Sequence, residues 1–145
     1  MVKLNGDRLY CRVAEEKIVE VFIAKKSKKI SIRDSVIVND EKTIYRLWNT
    51  NLVEKIGDDI YINISSNMDE INRMYPNGFY PRRDYIISNT TKSRLNVFLD
   101  YYGFNSLEVH SSKKDWSVKH NGKKLKIDSW YKLNFSNKEL IECKK

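Results

Sequence analysis

The stretch TIYRLWNTNLVEKIGDDIYINI, residues 43–64, decides the fold class because it contains three strand-like segments in succession. Each segment is rich in the β-branched and aromatic residues that strands favour. Gly57-Asp58-Asp59 is a turn signal, and the isoleucines that follow it alternate with other residues, as in a half-buried strand. The stretch therefore predicts an antiparallel sheet, with strands over TIYRLW (43–48), LVEKI (52–56) and IYINI (60–64).

The residues before this stretch predict further strands. Apolar residues alternate over 9–13, and KIVEVFIA (17–24) is apolar on both parities, which is typical of a strand covered on both faces. KISIR (29–33) and SVIVN (35–39) are two more predicted strands. KKSKK (25–29) then forms a turn between strands, and a basic turn of this kind is most often a solvated tip. The alternative is that it contacts phosphates, although its half of the chain is neutral overall.

The residues after it predict one main helix, TKSRLNVFLDYY (91–102). Its apolar residues recur at helical spacing, a threonine can cap its start, and Gly103 can end it. Shorter helices are predicted over 68–75 and over NKELIECKK (137–145), the second of them capped by Ser136.

The segment WSVKHNGKKLKI (116–127) predicts a hairpin, since Asn121-Gly122 is the strongest short-range hairpin signal. The elements together predict an α+β fold in a single domain over residues 1–145. It consists of a twisted antiparallel sheet, one main helix (about 91–102) and a C-terminal β-hairpin (116–127). The predicted cross-strand pairs of the hairpin are Val118 with Leu125, Trp116 with Ile127, Lys119 with Lys124, and Ser117 with Lys126.

Length and composition bound the class of protein. The chain has 145 residues, of which 41% are hydrophobic and 32% charged, and this balance is typical of a globular protein. Polar residues at 5–7 interrupt any signal-peptide core, and no apolar run is long enough to span a membrane. Cys11 and Cys143 lie too far apart in the sequence to suggest a disulfide framework. We therefore expect a cytoplasmic protein, in the host-cell cytoplasm if its origin is viral.

The net charge of +8 is unevenly distributed along the chain. Counts of 19 Lys, 15 Ile and 14 Asn against 2 Ala indicate an AT-rich genome, which by itself raises the lysine content. Residues 1–72 carry 12 basic and 12 acidic residues, whereas residues 73–145 carry 15 basic and 7 acidic residues. The second half is therefore the candidate surface for an anionic partner.

Lysines on the predicted hairpin carry the main functional hypothesis. Like charges directly opposite each other on paired strands are destabilising, and nucleic-acid phosphate would relieve the repulsion between Lys119 and Lys124. The alternative is a solvated edge hairpin, on which lysines prevent edge-to-edge aggregation. The predicted phosphate contacts are Arg82, Arg83, Lys92, Arg94, Lys119, Lys124 and Lys126, and the predicted stacking residues are Tyr80 and Tyr101.

The loop over residues 75–85 mixes tyrosines and phenylalanine with Arg82 and Arg83. Aromatic rings that stack on bases, together with arginines that bind phosphate, are typical of single-strand binding. The same mixture is typical of a protein–protein hot spot. It is also compatible with aromatic rings packed in the core and arginines in solvent.

Catalysis has little support in the sequence. His110 and His120 are the two histidines, and no cysteine at metal-ligand spacing or carboxylate cluster accompanies them. We expect no metal, no cofactor and no enzymatic activity. A metal-free nuclease that uses both histidines, with Lys119 stabilising charge, is a third hypothesis.

Segments 45–63, 85–99 and 114–118 resemble small uncharacterised proteins of phages and other mobile elements. In these proteins an arginine–threonine strand element precedes a short hairpin, a tyrosine–threonine–threonine segment opens a helix, and an aromatic hairpin closes the domain. The resemblance implies a viral or plasmid origin and no particular activity. The matching residues are Arg46, Thr50, Tyr85, Thr90, Thr91 and Trp116.

The sequence therefore predicts a non-catalytic nucleic-acid-binding protein, for DNA or RNA, of phage or mobile-element origin. The alternative is a protein-interaction module that inhibits a host defence or nucleic-acid-processing complex, as anti-CRISPR proteins do. No membrane partner is expected.

Overall fold

A computed structural model of the chain describes residues 13–65, 89–111 and 116–143. These residues form an α+β fold with two helices, α1 (Val13–Ile23) and α2 (Asn89–Tyr101). The main helix predicted at about 91–102 is α2, so the predicted fold class is confirmed. Neither helix is long and apolar enough to cross a membrane.

Seven strands form one antiparallel sheet, in the order β1-β2-β3-β4-β5-β9-β10. Three further strands form a second antiparallel sheet, in the order β6-β7-β8. The strands are β1 (Lys28–Lys29), β2 (Asp34–Val38), β3 (Lys42–Leu47), β4 (Thr50–Ile56), β5 (Asp59–Asn63), β6 (Glu108–Ser111), β7 (Trp116–His120), β8 (Lys123–Leu125), β9 (Trp130–Asn134) and β10 (Glu139–Cys143).

Strands β1 to β5 form a meander in which each strand pairs with the next one along the chain. The three strands predicted within residues 43–64 are β3, β4 and β5, and the predicted turn at Gly57-Asp58 joins β4 to β5. Trp48-Asn49 is a two-residue loop between β3 and β4, since Leu47 pairs with Thr50. Local hairpins therefore build most of the large sheet.

The large sheet is completed by strands from the end of the chain. Strand β9 pairs with β5, with Ile62 opposite Tyr131, and β10 pairs with β9 at the far edge. The amide of Ile64 donates to the carbonyl of Ser129 at 2.9 Å, where the chain leaves β5 and returns towards β9. Strands β5 and β9 are therefore neighbours in the sheet, although helix α2 and the small sheet separate them along the chain.

The small sheet contains the hairpin predicted at 116–127. Val118 lies opposite Leu125 and Lys119 opposite Lys124, which confirms both of these predicted pairs. The predicted pairs of Trp116 with Ile127 and of Ser117 with Lys126 are absent from this ladder, because β8 ends at Leu125. The amide of Lys126 instead donates to the hydroxyl of Tyr131 at 2.8 Å, as the chain turns towards β9.

The core lies between the two helices and the large sheet. Helix α1 packs against α2, β2 and β3. Phe98 of α2 contacts Phe22 of α1 edge-on, with ring centroids 5.0 Å apart, and lies 5.4 Å from the ring of Tyr45 on β3. All three rings are fully buried, so burial of apolar area holds the helices on the sheet.

The strand predicted over residues 17–24 is wrong, because these residues belong to α1 and its end. Ile18, Val19, Val21 and Phe22 are all buried. A helix that is buried over a wide face has apolar residues at both odd and even positions, as does a strand that is covered on both faces. Hydrophobic periodicity alone therefore could not distinguish a helix from a strand here. KKSKK consequently joins a helix to a strand.

The helix predicted over 137–145 is also wrong, since Glu139–Cys143 forms β10. Ser136 lies in the turn between β9 and β10 rather than at a helix start. The strand predicted over 29–33 is reduced to Lys28–Lys29, because a side-chain turn from Ser31 to Asp34 follows it. The features predicted within 9–12, 68–75 and 76–85 lie outside the described residues.

Candidate nucleic-acid interface

Three residues predicted to bind nucleic acid, Tyr80, Arg82 and Arg83, lie outside the described part of the chain. The others lie on α2 or on the hairpin. Tyr101 is half-buried near the end of α2, where its ring meets that of Tyr102 edge-on at 5.0 Å between centroids. Burial, with a smaller contribution from Tyr101, raises the pKa of Tyr102 to about 12.

The hairpin presents its lysines as predicted, but acidic residues lie beside them. Lys119 has Lys124 opposite it on β8 and Glu108 opposite it on β6. Lys124 is exposed, and Lys119 is half-buried. The hairpin lysines are therefore less electropositive as a group than the sequence suggested.

Strand β10 adds two carboxylates next to this hairpin. The Nζ of Lys123 lies 3.1 Å from Oε2 of Glu139, and the Nζ of Lys126 lies 3.7 Å from Oε2 of Glu142. Both pairs are exposed, so each contributes little to stability, yet both offset positive charge on this face.

Arg94, predicted to contact phosphate, is instead buried at 8% exposure, and this prediction is corrected. Its Nε donates to Oδ1 of Asp34 at 2.9 Å, and its Nη2 donates to Oδ2 at 3.2 Å. Its Nη1 lies 3.4 Å from Oε1 of Glu15. The guanidinium thus joins α2 to β2 and α1, and it does not belong to an exposed basic surface.

The Asp34 carboxylate is the centre of this buried cluster. It also accepts hydrogen bonds from the Tyr45 hydroxyl and from the Ser31 hydroxyl, the latter at 2.7 Å. Burial raises the pKa of Asp34, but the hydrogen bonds from Arg94 and Tyr45 outweigh it, and the net pKa is lowered. Burial and the Asp34 charge together raise the pKa of Tyr45 well above its ordinary value.

His120, the histidine whose side chain is described, is 2% exposed. Its Nε2 lies 3.0 Å from the carbonyl oxygen of Asn105, and its ring lies near that of Phe104. Burial lowers its pKa. Because the imidazole is enclosed and bonded to the backbone, it has no open face for a nuclease substrate, which weakens the nuclease hypothesis.

A basic surface that the sequence reasoning set aside lies at the β1 edge of the large sheet. We call it the edge surface and define it by five exposed cations in nine residues. None of the five forms an ion pair within the described part of the chain, although Asp40 and Glu41 share a small cleft with the first of them. The edge surface consists of Lys25, Lys26, Lys28, Lys29 and Arg33.

An open cavity of about 500 Å³ adjoins the edge surface. Trp48 lines it and also packs against the hydrophobic core. The backbone of Trp48 has a φ of +53°, and its amide donates to the carbonyl of Arg33 at 2.7 Å. The lining residues are Lys29, Ser31, Ile32, Arg33, Asp34, Ser35, Trp48 and Asn49.

The lysines of the edge surface received little weight at the sequence level because charge was counted along the sequence. The first half of the chain is neutral by count, but Glu15, Asp34 and Glu54 are buried at 2–3% exposure. Arg94, from the second half, pairs with two of them, and Lys42 pairs with Glu54 at 3.3 Å. The solvent-facing charge of residues 13–65 is therefore more positive than the residue count of that segment indicates. Burial of those acids had no signal in the sequence.

Within residues 13–65, 89–111 and 116–143, no group of three or more histidine, cysteine, aspartate or glutamate side chains could hold a metal ion. Comparison of the chain with protein-family models, with curated proteins and with solved structures finds no match.

Proposed function

We propose that this protein binds nucleic acid without catalysing a reaction on it, and that the edge surface contacts the phosphates. One observation carries the proposal: the five cations between Lys25 and Arg33 are all exposed, and none has an ion-pair partner among the described residues. When lysine and arginine side chains neutralise nucleic-acid phosphates, the cations condensed on the nucleic acid are released, and that release drives binding.

The hairpin lysines Lys119, Lys124 and Lys126 are a second contact surface in this proposal. They lie beside β10, which is the opposite edge of the large sheet from β1. Glu108, Glu139 and Glu142 lie near this surface, so its contribution to affinity is smaller than that of the edge surface.

The proposal includes an origin and a location. The AT-rich composition and the resemblance to mobile-element proteins support a phage or plasmid protein that acts in the cytoplasm of its host. Both points rest on the sequence alone.

Two charge-matched triple variants test the proposal. The edge variant carries Lys26→Gln, Lys28→Gln and Lys29→Gln, and the hairpin variant carries Lys119→Gln, Lys124→Gln and Lys126→Gln. Fluorescence anisotropy is measured with labelled single-stranded DNA, duplex DNA and RNA between 50 and 200 mM salt. We expect the edge variant to lose more affinity and to reduce the slope of log K against log salt by about 2 to 3.

The outcomes distinguish failure of the proposed nucleic-acid binding from a wrong choice of contact surface. Loss of binding in the hairpin variant alone would reassign the contact to the hairpin and leave the function standing. Absence of binding to every nucleic acid at about 10 μM protein and low salt would overturn the function, since non-specific binding normally reaches that range.

A protein-interaction module remains the second candidate, because Ile32 is 78% exposed in the middle of the edge surface. An exposed apolar side chain next to arginine and tryptophan is typical of a hot spot for a protein partner. The partner would be an acidic host defence or nucleic-acid-processing protein. A pull-down from host lysate, with and without nuclease treatment, distinguishes the two, since only a direct protein partner survives nuclease.

A further inference from the structure

We propose that the cavity beside the edge surface holds one unpaired nucleotide, with its base against Trp48 and its phosphate against Lys29 and Arg33. The nucleic acid that the protein binds is then single-stranded. This inference rests on the proposed function, because it names the kind of strand that the edge surface selects.

The cavity has suitable dimensions and chemistry for this ligand. Its volume of about 500 Å³ lies within the range of roughly 300–1,000 Å³ that is usual for small-molecule sites. Trp48 and two cationic residues line the same opening, together with the polar residues Ser31, Ser35 and Asn49. A nucleotide combines a flat ring, a phosphate and polar edges, and each of these has a counterpart here.

Trp48 is held in place before any ligand arrives. It packs against the hydrophobic core and also lines the cavity. Because the ring is anchored by the core, stacking a base on it costs little side-chain entropy.

The backbone of Trp48 has an unusual conformation for a bulky residue, one that Lys25, Asn121, Asp128 and Lys138 share. Its φ of +53° lies in the left-handed region, which glycine and asparagine adopt far more readily than a bulky residue does. Asn49 is its neighbour in the same two-residue loop, yet the strained position holds the tryptophan. Strained positions of this kind concentrate at ligand-binding sites.

The charge around the cavity favours phosphate. Lys29 and Arg33 are exposed and form no ion pair within the described residues. Asp34 also lines the cavity, but Arg94, Tyr45 and Ser31 already donate hydrogen bonds to its carboxylate. Arg94, which Asp34 shares with Glu15, partly offsets the charge of Asp34, so this carboxylate repels a phosphate less than an unpaired one would.

The preference for a single strand follows from stacking. A base inside a duplex is covered on both faces by its neighbours, so it cannot also lie against Trp48. A base of a single strand is free to stack, and phosphates of adjacent nucleotides can reach Lys26 and Lys28 along the same edge.

The experiment uses the full chain with labelled oligo-dT and oligo-dA of ten nucleotides and with the corresponding duplex. We expect Trp48→Gly to weaken single-strand binding about tenfold and to leave duplex binding unchanged. Glycine removes the ring and also suits the left-handed backbone. Trp48→Phe should restore most of the affinity, and Lys55→Gln is a control outside the cavity.

A fluorescence measurement covers the case in which Trp48→Gly does not fold. In the double variant Trp116→Phe, Trp130→Phe, Trp48 is the one remaining tryptophan. Single strands should quench its emission, duplex should not, and AMP should quench it more than adenosine or inorganic phosphate does.

The results separate the inference from the proposed function. Equal affinity for single strand and duplex, both lost in the edge variant and neither affected at Trp48, would overturn the single-nucleotide site and leave nucleic-acid binding intact. Quenching by AMP without binding of any oligonucleotide would also overturn it, since the ligand would then be a free nucleotide. Absence of nucleic-acid binding altogether would remove the proposed function as well.

Discussion

Arg94 on α2 and Asp34 on β2 form a buried, two-bond ion pair, with Nε 2.9 Å from Oδ1 and Nη2 3.2 Å from Oδ2. The two residues are far apart in the sequence, and each lies in a half of the chain with a different net charge. The pair therefore fixes the main helix to the first long strand of the sheet. Because both partners are buried, neither the positive charge of Arg94 nor the negative charge of Asp34 contributes to the exposed surface.

Removal of Arg94 should destabilise the protein strongly. Arg94→Ala leaves Asp34 and Glu15 buried near each other without the guanidinium, and loss of one partner of a buried pair costs about 3–5 kcal/mol. Urea denaturation measures this as a lower free energy of unfolding. Lys92→Ala, at a half-buried position on the same helix, is the control, and we expect it to cost less than about 1 kcal/mol. A small loss for Arg94→Ala would contradict the buried position of the pair.

Asp34 should make stability depend on pH in the acidic range. Because the pKa of Asp34 is lowered in the folded state, the unfolded chain binds its proton first as the pH falls. The stabilisation is complete above about pH 5 and is lost as the pH falls through the ordinary carboxyl value towards the folded pKa. Thermal unfolding from pH 6 to pH 2.5 tests this. Asp34→Asn should show a shallower decline than the wild type, and parallel curves would refute the assignment.

His120 should add a separate dependence at higher pH. Burial lowers the pKa of His120 below the ordinary value of 6.5, so the unfolded chain takes up a proton that the folded chain does not. Stability from this group is complete above pH 6.5 and decreases as the pH falls towards the folded pKa. Proton NMR of the imidazole should give a midpoint below 6.5. A midpoint at or above that value would contradict the burial of the ring.

Reversing the charge of Lys124 should stabilise the fold, whereas reversing the charge of Lys126 should not. Lys124→Glu replaces a like-charge pair with Lys119 by an opposite-charge pair, and we expect a gain of about 0.2–1 kcal/mol. Lys126→Glu removes an ion pair with Glu142 and puts two carboxylates together, so stability should fall slightly. Denaturation in urea at low salt compares the two, and 1 M salt should remove both effects.

The same hairpin tests the original binding hypothesis. The double variant Lys119→Glu, Lys124→Glu should weaken nucleic-acid affinity and reduce its salt dependence if the hairpin contacts phosphate. Unchanged binding would exclude the hairpin and leave the edge surface as the contact.

The parts of the fold that were predicted correctly have local causes. The meander from β3 to β5 and the Asn121-Gly122 hairpin follow from alternating residues and turn chemistry within a few positions. Helix α1 was missed because Ile18 and Val21 favour strands intrinsically, and only packing against α2 and the sheet decides otherwise. Strand β10 was missed although it forms a local hairpin with β9, because the four connecting residues 135–138 contain no Asn-Gly or Asp-Gly turn signal.

The candidate site depends on contacts that are distant in the sequence. Lys29 and Arg33 meet Trp48 only because β2 pairs with β3, which places Asp34 opposite Leu47. The sequence assigned Arg94 to the exposed basic face, and its buried partner could be seen only in three dimensions. Residue counts therefore predicted a basic protein but could not show which cations are exposed and lack an ion-pair partner among the described residues.

The pairing of β5 with β9 has a consequence for how the chain folds. Strands β1 to β5 can form as successive hairpins, but β9 must return to β5 after α2 and the small sheet have been synthesised. Loop-closure entropy opposes this late, long-range pairing until Ile62 and Tyr131 come together. Pairing of β9 with β5 should therefore set the folding rate. A nascent chain that ends before Trp130 would leave the edge of β5 unpaired and exposed.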